Sequence, residues 1–509
     1  MITYSIFKHE WKTSNYPCEV PKSKDYRVYI NGEEIPVYTC RISSYPFNIW
    51  WQGHQRPVNQ TEIVSYVNLI ADEDVRIEVE PLTQTAYKRI MLKPYSKGIK
   101  TEQINNRIVF TLKENGSYVL ELDDYHGLLY VFNNKPIACD NPETVTYYFD
   151  KGVHFPGKIV LKSNESIYVD KDALVYGCIY AENAENIKIY GNGIFDDSGE
   201  ERFSEPCYEP YTNGNVKFYD CTNVKIHGVG FTNSAIWCVN LFHCSDVEID
   251  GIKVFGQWRY NTDGIDIVNS EGIVIRNSFV HSFDDTIVVK GIDRYASYSN
   301  KDMLIENCVL WCDWGKTCEI GLETNCPEYD NIIFRNCDIL RAGNTACDIQ
   351  NGDCADVHDI LFEDIRVELE DFYTPAMLQP EQSIVYDKHN ELEIPAIINI
   401  VNTRFRKKYD FMDGMQSAMP YEKQPGDKLF ASVRNITFKD IQVYCDEKIF
   451  ERVNPKEAIW LIVRNTIDTS TYSDITIDNI SMNGKCLARE EMSIELIGNI
   501  ENVKIECER

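Results

Sequence analysis

The 509-residue chain reads as an all-β protein, a right-handed parallel β-helix preceded by an N-terminal β-sandwich. Three observations predict this class. The first 140 residues alternate apolar and polar positions between turn residues, which is the period of half-buried strands. From residue 141 to 509 the pattern becomes a loose repeat of short β-branched strands. No repeat contains a helical stretch of ten residues, which excludes leucine-rich repeats and leaves a solenoid of strands.

In the N-terminal part, Val28-Tyr29-Ile30 runs into Asn31-Gly32, a hairpin-turn dipeptide. Val75–Val79, Arg107–Leu112 and Ser117–Leu122 follow as further alternating strands. They predict an antiparallel sandwich, and its function is not legible in these residues.

The repeat sets a polar residue before an alternating strand, beginning at Asn186, Asn223, Asp246 and Gly272. It resumes at Asp302, Asn331, Asp359, Asn435, Asp474 and Asn502. Most intervals between these anchors are one coil plus a variable loop, the spacing of a stacked array. The interval from Asp359 to Asn435 is too long for one coil. It predicts an insertion at about 371–430, with Ile394–Val401 as a coil strand inside it. Insertions on one face of a solenoid commonly wall a binding groove.

Composition narrows the partners. Seventy-nine acidic residues against 51 basic ones give a net charge of −28, a field that repels nucleic acid and anionic membranes. The first ten residues carry no basic segment followed by an apolar run, and no stretch approaches ~18 apolar residues. The expectation is a cytoplasmic, soluble protein, with self-association left open. Eighteen dispersed cysteines without a C-x-x-C pair are expected to be reduced and to act as small buried hydrophobes. No phosphate loop, nucleotide fingerprint or metal-ligand spacing occurs, so the expectation is chemistry without cofactor or metal.

Chemistry is carried by two segments, Asn261-Thr262-Asp263-Gly264-Ile265-Asp266 and Asp284-Asp285-Thr286-Ile287-Val288-Val289-Lys290. The 21 residues from Asp263 to Asp284 are about one coil, and neighbouring parallel strands lie ~4.8 Å apart. Three carboxylates then crowd one patch. Like charges at such a distance raise the pKa of one member, which keeps a general acid protonated beside an ionised base. Glycoside hydrolysis with inversion needs such a pair, ~6.5–9.5 Å apart with room for a water.

These two segments resemble the glycoside hydrolase clan of pectin-degrading polygalacturonases and dextranases, right-handed β-helices of the pectin-lyase-like fold. Ser166–Gly177 and Asn192-Gly193-Ile194-Phe195-Asp196 extend the resemblance, which covers residues 145 to 365 best. It implies an inverting hydrolase acting on an α-linked oligosaccharide, expected to be imported, with Asp284 as general acid and Asp263 and Asp285 activating water. Asn261 and Asp266 belong to the same motif, although Asp266 is expected to cap its own turn. Lys290 matches a position where these families carry a basic residue, and it is expected to hold Asp285 ionised.

One departure bears on substrate. Where polygalacturonases carry Gly-His-Gly and then Arg-x-Lys, this chain has Trp314-Gly315-Lys316-Thr317-Cys318-Glu319-Ile320-Gly321 and Arg341-Ala342-Gly343-Asn344. The missing histidine and the leading sandwich are more similar to the dextranase branch, which acts on neutral α-glucan. Lys316 or Arg341 could still meet an acidic sugar. Trp258 and Trp314 lie beside the acidic coils and offer sugar-stacking faces, with Arg259, His281, Glu319 and Glu323 as polar neighbours. A uronate-directed hydrolase or lyase, and a non-catalytic carbohydrate-binding solenoid, stay as alternatives.

Overall fold

The computed structural model describes residues 1–7, 20–43, 61–84, 86–202, 213–353, 355–370, 394–402, 432–451, 453–465 and 470–506. Two architectures follow one another along the chain. Residues up to 134 form a six-stranded and a five-stranded sheet. From Tyr147 to Glu506, twenty-nine strands join in one continuous coiled sheet. The four N-terminal strands read from alternation are all present, as Tyr26–Ile30, Val75–Pro81, Arg107–Leu112 and Gly116–Leu122. Their pairing is antiparallel, but Asp124–Asn134 runs parallel to Thr61–Ala71, so that sheet is mixed.

Each coil presents the same columns to the interior. Val239, Ile265, Ile287, Cys318, Cys347, Ile398 and Leu461 are in register, and so are Leu241, Ile267, Val289, Ile320, Ile349, Ile400 and Val463. All are buried. Each Val, Leu or Ile among them contributes ~1.5–3 kcal/mol relative to exposure, and its neighbours above and below are likewise small or medium apolar side chains. The handedness follows from the right-handed crossover preference of parallel strands.

The repeat anchors have a conformational explanation. All ten, from Asn186 to Asn502, have φ between 52° and 67°. Only Gly and, at lower frequency, Asn and Asp adopt this left-handed region readily. Stacking then links the turns, since the Asn186, Asn223, Asn331 and Asn502 amides donate to Asn164, Asn186, Asp302 and Asp474 one coil back. Ala396–Val401 pairs with Thr345–Asn351 and Trp460–Asn465, which makes the expected strand within 371–430 a genuine coil. The remainder of that insertion lies outside the described residues.

Thirteen described cysteines form no disulfide, and twelve of them are buried. Cys486 departs from the expectation, because it is disulfide-bonded. Among the described residues no helix is long and apolar enough to cross a membrane.

The sandwich packs along the flank of the coils through Tyr66, Tyr130 and Phe132 against Phe255 and Phe279. Asn331→Ala removes an amide donor and puts at φ 54° a residue without asparagine's tolerance of the left-handed region. A loss of ~1–2 kcal/mol is expected, seen as a lower thermal midpoint than for Asn331→Gly.

Candidate active site

Two strands build the centre of the site, Ile265–Val268 and Ile287–Gly291, with Lys316–Thr324 as the third rung. Their offset pairs Ile265 with Ile287 and Ile287 with Cys318. Continuing it to the strand starts sets Asp263 opposite Asp285, with Lys316 next in file. The register therefore pairs Asp263 with the second aspartate of the doublet, where the spacing of 21 residues pointed to Asp284.

Asp284 occupies the bend before the strand. Its Oδ2 accepts the Asn261 amide at 3.2 Å, and its Oδ1 accepts the backbone N–H of Asp285 at 3.1 Å. Asp285 Oδ1 accepts the backbone N–H of Lys316 at 3.1 Å. Gly315 is the residue that lets the two carboxylates meet. A Cβ there would lie 2.6 Å from Asp284 Oδ1 and 2.5 Å from Asp285 Oδ1, so any side chain would displace both. Glycine in the Trp-Gly-Lys segment was the available sequence signal for this, and it acquires meaning only once the coils are stacked.

Charge separates the three aspartates. Burial, then the neighbouring Asp263 and Asp285, push the Asp284 carboxyl well above the usual range. Burial also acts on Asp285, but Lys316 and Lys290 at 3.8 and 3.7 Å outweigh it and hold the carboxylate below its ordinary value. Burial lifts Asp263 to about 6 against the pull of Lys290, whose Nζ donates to it at 2.7 Å. A protonated carboxyl thus stands beside an ionised one.

Lys290 is the hub of this balance. It also donates to Asp266 at 2.8 Å and lies 3.9 Å from the centroid of the buried Trp237 ring. Asp266 is thereby an ion-pair partner, where a local turn cap was expected. Lys316 ion-pairs with Glu319 at 3.1 Å as well as facing Asp285. Glu323 is half-buried on the same strand and adds negative charge near Lys290 and Asp263.

The aromatic rim divides. Trp314 is half-buried, stacked on Phe283 at 5.6 Å and near Tyr260 at 5.9 Å. Trp258 is half-buried and donates to Asn233 at 3.2 Å. Arg259 is buried and spends its guanidinium on the carbonyls of Glu200 and Ser198.

Two nominated residues are engaged elsewhere. His281 is fully buried between Tyr130 of the sandwich at 2.6 Å and Asp313 at 2.9 Å, stacked on Trp311. Arg341 is buried against Glu121 at 3.1 Å and Glu370 at 2.9 Å, in a cluster with Lys93 that joins sandwich to coils. These partners hold both side chains, and two of them, Tyr130 and Glu121, lie 151 and 220 residues away in sequence. Asp348 was not nominated, yet it follows Glu319 in register on the next rung. Among the described residues, Cys178, Asp197 and Glu200, and Asp330, His358 and Asp359, bring metal-ligand atoms within 4.8 Å of one another. Neither group includes Asp263, Asp284 or Asp285.

The chain belongs to glycosyl hydrolases family 28, whose profile matches residues 144–403, 260 of the 509. It is 24% identical over 254 residues to probable exopolygalacturonase B of Aspergillus terreus, covering 46% of this chain and 56% of that protein. It is 27% identical over 173 residues to polygalacturonase of Gossypium barbadense, covering 32% and 40%. The chain thus spans about half the length of the curated relatives it matches. In structure it is similar to Dex49A from Penicillium minioluteum, with TM-score 0.61 and 14% identity over 99% of this chain and 92% of that one. That likeness is one of fold, and it extends through the sandwich.

Arg341→Met leaves Glu121 and Glu370 buried without their guanidinium. The expected loss is ~3–5 kcal/mol of stability, measured as a lowered melting midpoint, with KM for any hydrolysed sugar unchanged.

Proposed function

We propose that the protein hydrolyses α-glycosidic bonds in oligosaccharides with inversion at the anomeric carbon. The observation that carries this reading is the opposite charge bias on two adjacent carboxyls, Asp284 raised and Asp285 lowered, with Asp263 one coil away. Asp284 donates its proton to the glycosidic oxygen as the bond to the anomeric carbon breaks. A water held by Asp263 and Asp285 attacks that carbon from the opposite face and gives its proton to the base. The products are a hemiacetal of inverted configuration and a free hydroxyl, with Asp284 ionised and the base protonated. Exchange with solvent resets both.

Lys290 and Lys316 act by holding the water-activating side ionised, and Asn261 orients the acid. Stacking of a sugar on Trp314 would fix the ring over the carboxylates. The named relatives are polygalacturonases, so galacturonides belong in any substrate panel beside neutral α-glucans.

Asp284→Asn is expected to lower kcat at least ~10²-fold, the ordinary scale of general acid catalysis. Proton NMR of the first product formed by the wild type should show the β anomer; an α anomer appearing first would remove the inverting mechanism. A second outcome concerns pH. Asp285 must be ionised to take a proton, and a positive charge beside it lowers its pKa. Lys316→Gln therefore moves the acidic limb of kcat/KM to higher pH, and a limb that stays in place or moves down contradicts the role given to Lys316.

A further inference from the structure

Asp284 is reached from a distant part of the chain. Asn261, whose amide donates to Asp284 Oδ2 at 3.2 Å, accepts on its own Oδ1 a hydrogen bond of 2.8 Å from Arg202 Nη1. Arg202 lies in the connection between Ile194–Asp196 and Val216–Tyr219, the latter two rungs before Ile265–Val268. It belongs to neither acidic segment. Its guanidinium sits 5.7 Å from the Tyr260 ring centroid, and Tyr260 lies 5.9 Å from Trp314, so the arginine stands at the aromatic rim of the site. Arg259 fixes the placement from the other side, donating to the carbonyls of Glu200 at 2.9 Å and Ser198 at 3.3 Å. The segment that carries Arg202 is thereby tied to the turn that carries Asn261. Thr262 closes that turn on the Arg259 carbonyl at 2.7 Å, and Asn261 itself sits at φ 54°.

With the backbone held, the freedom left to Asn261 is which end of its amide faces which neighbour. A primary amide offers a donor at one end and an acceptor at the other, in nearly the same shape. A guanidinium has donors only. Arg202 therefore takes the amide oxygen and turns the NH2 group toward Asp284. Turned over, the amide would present its oxygen to the carboxyl and favour the protonated form; as placed, its N–H favours the ionised one. The other charged and titratable groups around Asp284 are Asp263 and Asp285, which oppose its ionisation, Lys316 and Lys290, which favour it, and Cys312, whose Sγ donates to the Asp284 carbonyl at 3.2 Å.

We infer that Arg202 is a positioning residue for the general acid, setting the Asn261 amide so that an N–H stays on Asp284 Oδ2 and stabilises the carboxylate left when the proton passes to the glycosidic oxygen. Its use in catalysis rests on the hydrolase reading above, whereas the relay itself is a property of the resting protein. Asn261 was legible as part of a motif. Arg202 lies 59 residues before it and is joined to it only by the stacking of coils.

The test is a carbon-13 NMR titration of the Asp284 carboxyl in the whole chain, assigned with Asp284→Asn and needing no substrate. Arg202→Met is expected to raise that pKa by roughly 0.5 or more, because the ionised form loses its assured donor. Asn261→Ala should raise it as well, and adding Arg202→Met to Asn261→Ala should move it no further. A carboxyl unmoved by Arg202→Met overturns the inference. So does an equal movement in the Asn261→Ala background, which assigns the effect to the arginine's charge acting directly. Melting midpoints check folding; should Arg202→Met not fold, Arg202→Gln removes the cation with the same upward movement expected. Turnover separates the two readings. Arg202→Met should lower kcat about tenfold, the scale of one hydrogen bond to a charged group, with KM little changed. The acid must be protonated to act, so a raised pKa also carries the alkaline limb of kcat/KM to higher pH. A wild type that hydrolyses neither galacturonides nor α-glucans, with the titration as expected, would sink the hydrolase assignment and keep the relay, whereas hydrolysis with an unmoved titration would do the reverse.

Discussion

Parallel register between successive coils is the constraint on which everything else depends. The interior columns of Ile, Val and Cys are copies of one another, and a slip of one residue would turn each of them to solvent. The left-handed turns add a second lock at the start of each coil, because an Asn or Asp that tolerates φ near 55° also bonds to its counterpart one rung back. With register held at both places, two aspartates from different coils have no freedom to avoid each other.

That enforced proximity would be costly without the lysines. Seven carboxyls, Asp263, Asp266, Asp284, Asp285, Glu319, Glu323 and Asp348, share the region with Lys290 and Lys316. Each lysine ion-pairs with several acids and neither pairs with Asp284, so the same charges that stabilise the fold leave one carboxyl of the doublet above its ordinary pKa and the other below. Gly315 completes the arrangement by contributing nothing beyond Cα, which keeps the two carboxylates on one spot. Stability and chemistry are here one electrostatic problem.

The sandwich has a structural share in the site. Tyr130 fixes His281, and Glu121 with Lys93 fixes Arg341 and Glu370, so the coil that follows the aspartates is held from outside. These contacts hold the histidine and the arginine beside the acidic motifs against groups of the sandwich. Sequence proximity to a motif says nothing about which way a side chain leaves its strand, and here each leaves toward the sandwich.

The amino-acid sequence by itself determined the repeat, its turn positions and the two acidic segments. Each of these is written in local rules, namely which residues accept a left-handed turn, which alternate in a strand, and how many residues one coil takes. Tertiary structure alone decided that Asp285 stands opposite Asp263, that Lys290 bridges Asp263 and Asp266, that Gly315 is indispensable space, and that Asp348 follows Glu319 in register. The physical reason is that loop lengths between coils vary, so a residue count locates a rung only to within a position. Charge pairing, by contrast, is settled over a few ångströms once the chain has stacked.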